Sequence, residues 1–148
     1  MRRFGEQPLA GISYRPRPGA YAIIERGGMV LVTHQSMPES EFQLPGGGVD
    51  PGESPVTALH REVMEETGWR VAAPRKMGVF RRYVFMPEYD MYANKICSIY
   101  VAQPVRKICD PTEVGHEAHW MPIEEASQLV ANPGDRFFLK RFMQLNQM

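Results

Sequence analysis

Two short apolar runs, Tyr21-Ala22-Ile23-Ile24 and Met29-Val30-Leu31-Val32-Thr33, flank Glu25-Arg26-Gly27-Gly28. That pattern predicts a β-hairpin whose glycines supply the positive φ of a tight turn. Gln35 to Glu41 is polar, contains Pro38 and is expected as a loop, after which Phe42-Gln43-Leu44 runs extended into Pro45 and three glycines. The period then changes from two to that of a helix. At about 100° per residue, Val56, Leu59 and Val63 form one stripe, and Glu62, Glu65 and Glu66 fill the adjacent arc. Ser54 is a suitable cap, Pro55 suits the first helical position, and Gly68 stands where a left-handed stop belongs.

Strand patterns return beyond Trp69. Met77 to Met86 is aromatic and β-branched without clean alternation, Pro87 to Met91 reads as a loop, and Ile96 to Ala102 as a buried strand. Residues 103 to 118 are expected as a polar, functional loop. His119-Trp120-Met121 predicts a last short strand. Pro122 opens a brief helix to Val130, and Asn132-Pro133 starts a C-terminal one. Residues 1–19, with Pro8, Pro16 and Pro18, read as an extended arm. The pattern is that of one domain over 1–148, of α/β class with a mixed sheet.

Composition adds limits. Hydrophobic residues make up 43% and the formal net charge is zero, so no global field draws the chain to nucleic acid or membrane. An anionic ligand must be held by local chemistry. Cys97 and Cys109 lack a C-x-x-C spacing and are expected as a reduced, packed pair, which fits a cytoplasmic protein. No run approaches the length of a membrane span. His34, His60, His116 and His119 have no zinc-type spacing, so surface or supporting roles are expected.

The chemistry concentrates between Gly47 and Trp69. Three glutamates in five positions on one helical face repel one another unless a cation sits among them. Hard oxygen donors of this kind suit Mg²⁺ or Mn²⁺. Arg61 relieves part of the repulsion and can pair with Glu53. Glutamate clusters on helices are ordinarily solvated faces, but here the spacing is G-x5-E-x7-R-E-V-x-E-E-x-G. It fixes Gly47, Glu53, Arg61, Glu62, Glu65, Glu66 and Gly68, and chance produces it in about one window in 10⁸ to 10⁹.

This string, with Leu44-Pro45-Gly46 before it, resembles the Nudix box of the Nudix hydrolase superfamily. Trp120-Met121-Pro122-Ile123-Glu124-Glu125 is similar to a W-x-P-x-x-E segment that many members carry. Trp69 departs from the pattern, which usually has an aliphatic residue there. The resemblance implies an α/β/α sandwich in which Glu62, Glu65, Glu66 and the Gly47 carbonyl bind metal, while Arg61 and Glu53 orient the carboxylates. It implies hydrolysis of a phosphoanhydride in a nucleoside diphosphate linked to another moiety, with Glu66 the leading candidate base. Glu113 and Glu117 are the distant candidates for that role.

The substrate is not written in this stretch. Arg81, Arg82, Tyr83, Phe85, Tyr89 and Tyr92 form a basic-aromatic run able to stack a base and hold a phosphate, although aromatic strands more often build core. Arg81, Tyr83, Glu113 and Glu117 are the substrate-binding candidates. A (d)NTP, ADP-ribose or a nucleotide sugar, and a dinucleoside polyphosphate all remain open, as does a homodimer. A regulatory Nudix-like sensor of nucleotides is the alternative; turnover with metal separates it from an enzyme.

Overall fold

The computed structural model describes residues 1–37 and 39–147, so Pro38, expected in a loop, lies outside the described residues. The strands are β1 (Arg2–Phe4), β2 (Arg15–Arg26), β3 (Met29–Gln35), β4 (Glu41–Gln43), β5 (Gly46–Gly48), β6 (Trp69–Met86), β7 (Met91–Lys107) and β8 (His116–Pro122). The helices are α1 (Pro55–Thr67), α2 (Ile123–Leu129) and α3 (Pro133–Asn146). The main sheet runs β1-β6-β7-β2-β3-β4, with β5 on β2 and β8 on β3. It is mixed: β1 lies parallel to β6 and β2 parallel to β7, while the other pairs are antiparallel.

Alternation along the central strands sorts the core into two layers. Ile23, Phe80, Cys97 and Ile99 pack with Ile123, Ala126, Phe138 and Leu139 of α2 and α3. Ala20, Ala22, Ile24 and Tyr100 pack with Leu59 and Val63 of α1. One helix therefore covers one face and two cover the other, which is an α/β/α sandwich. Among the described residues no helix is long and apolar enough to cross a membrane.

The hairpin forms as expected, with Glu25 opposite Val30 and both turn glycines at positive φ. The α1 caps also form: Ser54 Oγ accepts from the Thr57 amide at 3.1 Å. Val56 does not join the buried stripe; it is 38% exposed, and Ala58 is buried beside Leu59 instead. Val56 lies in the first turn, before the helix passes over the sheet.

Residues 1–19 are more than an arm. β1 pairs with β6, and Arg15–Gly19 already pairs with β7. Pro16 and Pro18 are tolerated because their missing N–H groups share one edge, the side on which the Pro18 carbonyl accepts from Val49. The expected loop over 103–118 is shorter, since β7 runs to Lys107 and β8 starts at His116. The cysteines are free, as expected, but are not a packed pair: Cys97 is buried and Cys109 exposed.

Candidate active site

Helix α1 ends on a device that builds the site. Gly68 has φ 74°, and its amide donates to the Met64 carbonyl at 2.9 Å. A Cβ there would run into the Cys109 carbonyl oxygen. Glycine thus lets the loop 108–115 dock on the helix end, where the Ile108 amide donates to the Gly68 carbonyl at 2.7 Å. The Thr112 and Glu113 amides both donate to the Glu65 carbonyl, at 2.9 and 3.1 Å. These bonds satisfy otherwise orphaned helix carbonyls and carry Glu113 and His116 to the glutamate face.

Two overlapping groups of ligand atoms result, Glu62/Glu65/Glu113 and Glu66/Glu113/His116, each with its members within 4.8 Å of one another. His116 Nδ1 lies 3.6 Å from Glu66 Oε2. Strand β5 forms the floor: the Gly46 amide donates to Glu66 Oε1 at 2.9 Å. A Cβ on Gly47 would fall 2.5 Å from the Glu62 carboxyl carbon, so glycine permits the close approach of backbone and carboxylate. Gly46, Gly47, Glu62, Glu66, Glu113 and His116, together with Arg17, Tyr21, Lys95 and Tyr89, line a cleft of about 410 Å³.

Arg61 is the hub beneath. It holds Glu53 through Nε at 2.8 Å and a second nitrogen at 2.9 Å, reaches Glu62 Oε1 at 2.9 Å, and donates to the Gly48 carbonyl at 3.1 Å. Hydrogen bonds from Arg61 and the Asp50 amide outweigh partial burial and hold the Glu53 carboxyl down at about 2. The Glu53 contacts in turn raise the Arg61 pKa. The ligand face behaves oppositely. Burial, with help from Glu113, Glu62 and Glu65, pushes Glu66 up to about 9 against the Gly46 amide. Glu62 is also raised by burial, against the pull of Arg61. Carboxylates this crowded and this buried take a proton or a cation. Four carboxylates and an imidazole with a buried, unpartnered Nδ1 fit a hard divalent ion.

The chain is similar to known proteins in a way that matches this geometry. The family model for the NUDIX domain matches residues 14–142. The chain belongs to the Nudix family. It is 40% identical over 80 residues to a candidate 8-oxo-dGTP diphosphatase of Bacillus subtilis, covering 53% of this chain and 52% of that protein. It is 43% identical over 63 residues to an RNA pyrophosphohydrolase of Rhodospirillum rubrum, covering 43% and 38%. The alignment thus spans about half, or less, of these relatives' lengths. Among solved structures, a NUDIX hydrolase from Nitrosomonas europaea superposes with a TM-score of 0.72 at 20% identity, over 88% of this chain and 90% of that one. At that identity the likeness speaks for the Nudix fold alone.

Within this Nudix domain, the candidate residues Glu53, Arg61, Glu62, Glu65, Glu66 and Gly47 come together, and Glu113 joins them. Glu117 does not; it is exposed on β8 and pairs with His119 at 3.3 Å. Arg81 and Tyr83 bond each other at 3.2 Å and, among the described residues, do not line the cleft. Alternation on β6 instead turns Arg82 toward the site side, where with Lys95, Cys97 and Asp135 it lines an inner pocket of about 190 Å³. His116, expected in a surface or supporting role, lies among the ligand atoms, and Lys95 was not expected at the cleft. The imidazole had one faint signal, its place three residues past Glu113, and Lys95 had none.

Proposed function

We propose that this chain is a Nudix pyrophosphohydrolase that cleaves a phosphoanhydride bond in a nucleoside diphosphate linked to another moiety, using Mg²⁺ or Mn²⁺. The observation that carries this reading is the convergence of Glu62, Glu65, Glu66 and Glu113 beside the Gly46–Gly48 backbone, with Glu66 only 5% exposed. Glu62, Glu65, Glu66 and the Gly47 carbonyl would hold the metal. When bound, it would polarise phosphate oxygens and lower the pKa of an attacking water.

The chain's own residues do the rest. Arg61, fixed by Glu53, sets the orientation of Glu62 and offsets the repulsion between carboxylates. Glu66, ionised where a bound cation would offset its burial and the neighbouring carboxylates, takes the proton from the water, and the Gly46 amide fixes its carboxylate for that role. Glu113 adds charge from the loop side. The names of relatives, an RNA pyrophosphohydrolase and a candidate 8-oxo-dGTP diphosphatase, support a pyrophosphate-type linkage as the target. The setting expected from the sequence is cytoplasmic.

A substrate panel tests the reading. ADP-ribose, nucleotide sugars, dinucleoside polyphosphates and both (d)NTP sets are incubated with Mg²⁺, with Mn²⁺ and with EDTA. Metal-dependent release of phosphate, pyrophosphate or a nucleoside monophosphate from at least one is expected. Tight binding without turnover of any would instead make the chain a sensor.

A further inference from the structure

The sheet floor of the cleft carries a row of cations. Arg17 of β2 is the register partner of Lys95 of β7, and Lys95 is the register partner of Arg82 of β6. The row therefore crosses three adjacent strands. Arg17 and Lys95 line the catalytic cleft, and Lys95 and Arg82 line the inner pocket that shares Tyr21, Glu41 and Gln43 with it. Like charges directly opposite across strands are destabilising, so such a row needs a reason.

Neighbouring carboxylates do not supply one. Among the described residues, no ion pair within 4.0 Å involves Arg17, Lys95 or Arg82. Glu41, whose Oε1 accepts from the Gln35 and Gln43 side-chain amides at 3.1 and 2.6 Å, lines both pockets but, among the described residues, makes no ion pair within 4.0 Å with the row. Burial pushes the Asp135 carboxyl up to about 7, so it neutralises the row only in part at neutral pH. Among the described residues, Arg82 Nε is buried without a hydrogen-bond partner. Arg17 packs over the Tyr89 ring at 5.0 Å, which fixes it at the mouth. The chain as a whole has no net charge, so no global excess of cations accounts for the row.

We infer that Arg17, Lys95 and Arg82 bind phosphate carried by the substrate beyond the bond that is cut. Arg17 and Lys95 line the cleft that also holds Glu62, Glu66 and Glu113, and Arg82 lines the adjoining inner pocket beside Lys95, so a substrate reaching the glutamate face has the row within reach. This rests on the proposed hydrolase reading and narrows it: the preferred substrate bears more phosphate than the scissile pyrophosphate itself. Guanidinium and ammonium groups are the side chains that take phosphate oxygens.

Two measurements on the full chain separate this inference from the reading beneath it. Without metal, in EDTA, calorimetry follows binding of tripolyphosphate and of inositol hexakisphosphate, which report chain-linked and ring-borne phosphate. At least one is expected to bind, with Kd rising about tenfold or more in Lys95→Gln and in Arg82→Gln and being largely restored in Lys95→Arg. With Mg²⁺, kcat/KM is compared for diadenosine tetraphosphate and diadenosine diphosphate. The wild-type ratio is expected to exceed about ten and to collapse in the glutamine variants. Binding that depends on the row without any turnover would overturn the hydrolase reading and keep the row. Failure of both anions to bind, binding unchanged in folded glutamine variants, or turnover indifferent to added phosphate would overturn the row.

Discussion

His116 stands between two carboxylates from different parts of the chain, with Nδ1 at 3.6 Å from Glu66 Oε2 and Nε2 at 3.8 Å from Glu113 Oε1. Among the described residues Nδ1 is buried without a hydrogen-bond partner, which costs about 1–3 kcal/mol. A cation bound among these carboxylates would give that nitrogen a partner.

His116→Ala is accordingly expected to lower activity about 10–100-fold and to raise the Mg²⁺ concentration for half-maximal rate. A magnesium titration of initial rates reads both. Unchanged titration curves would remove His116 from the site.

Arg61 serves Glu53 with two bonds and Glu62 with a third, a fork that lysine cannot copy. Arg61→Lys keeps the charge but loses this geometry. Activity at low Mg²⁺ is expected to fall about 10–100-fold, with partial recovery at high Mg²⁺. Full activity at low metal would show that charge alone suffices.

How far these features were legible in the sequence depends on their range. Ser54, Pro55 and Gly68 act within one helix, and their residue types announce their roles. The Nudix box likewise lies in 23 consecutive positions, Gly47 to Trp69. Val56 shares the period of Leu59 and Val63, yet helical spacing alone does not say which turn the sheet reaches. On β6 the aromatic run from Phe80 to Phe85 hides the alternation, which turns Arg82 into the inner pocket beside the cleft and leaves Arg81 and Tyr83, the substrate-binding candidates, away from both. The Glu65–Thr112 contact spans 47 positions, and only the fold brings it about.

Gly68 is the hinge of that arrangement. Gly68→Ala forces a side chain into a left-handed conformation and against the Cys109 carbonyl. A loss of about 2–3 kcal/mol, or about 5–10 °C in Tm, is expected. Scanning calorimetry measures it, and a Tm unchanged from wild type would contradict the docking role.

Asp135 gives the fold a pH dependence. Burial raises its carboxyl from 3.8 to about 7, while the Leu44 amide and the Arg82, Lys95 and Arg136 charges pull it down. The native state thus holds the proton more tightly than the unfolded one. No penalty applies below about pH 4; stability falls as pH rises toward 7, by up to about 4 kcal/mol. Urea unfolding in EDTA at pH 5 and 8 is expected to show a smaller difference for Asp135→Asn than for wild type. Glu66 adds a slope of the same sign to both proteins, so the comparison isolates Asp135. Equal slopes would contradict the assignment.

The central claim is that the glutamate face of α1 holds a divalent cation and that Glu66 works within it. Its most direct test is turnover of the best panel substrate by Glu66→Gln, beside wild type, across a Mg²⁺ titration, with the fold checked by circular dichroism. The expected result is a folded variant whose turnover is reduced at least about 100-fold, within the range a catalytic base supplies. Wild-type-like turnover by a folded Glu66→Gln protein would contradict it.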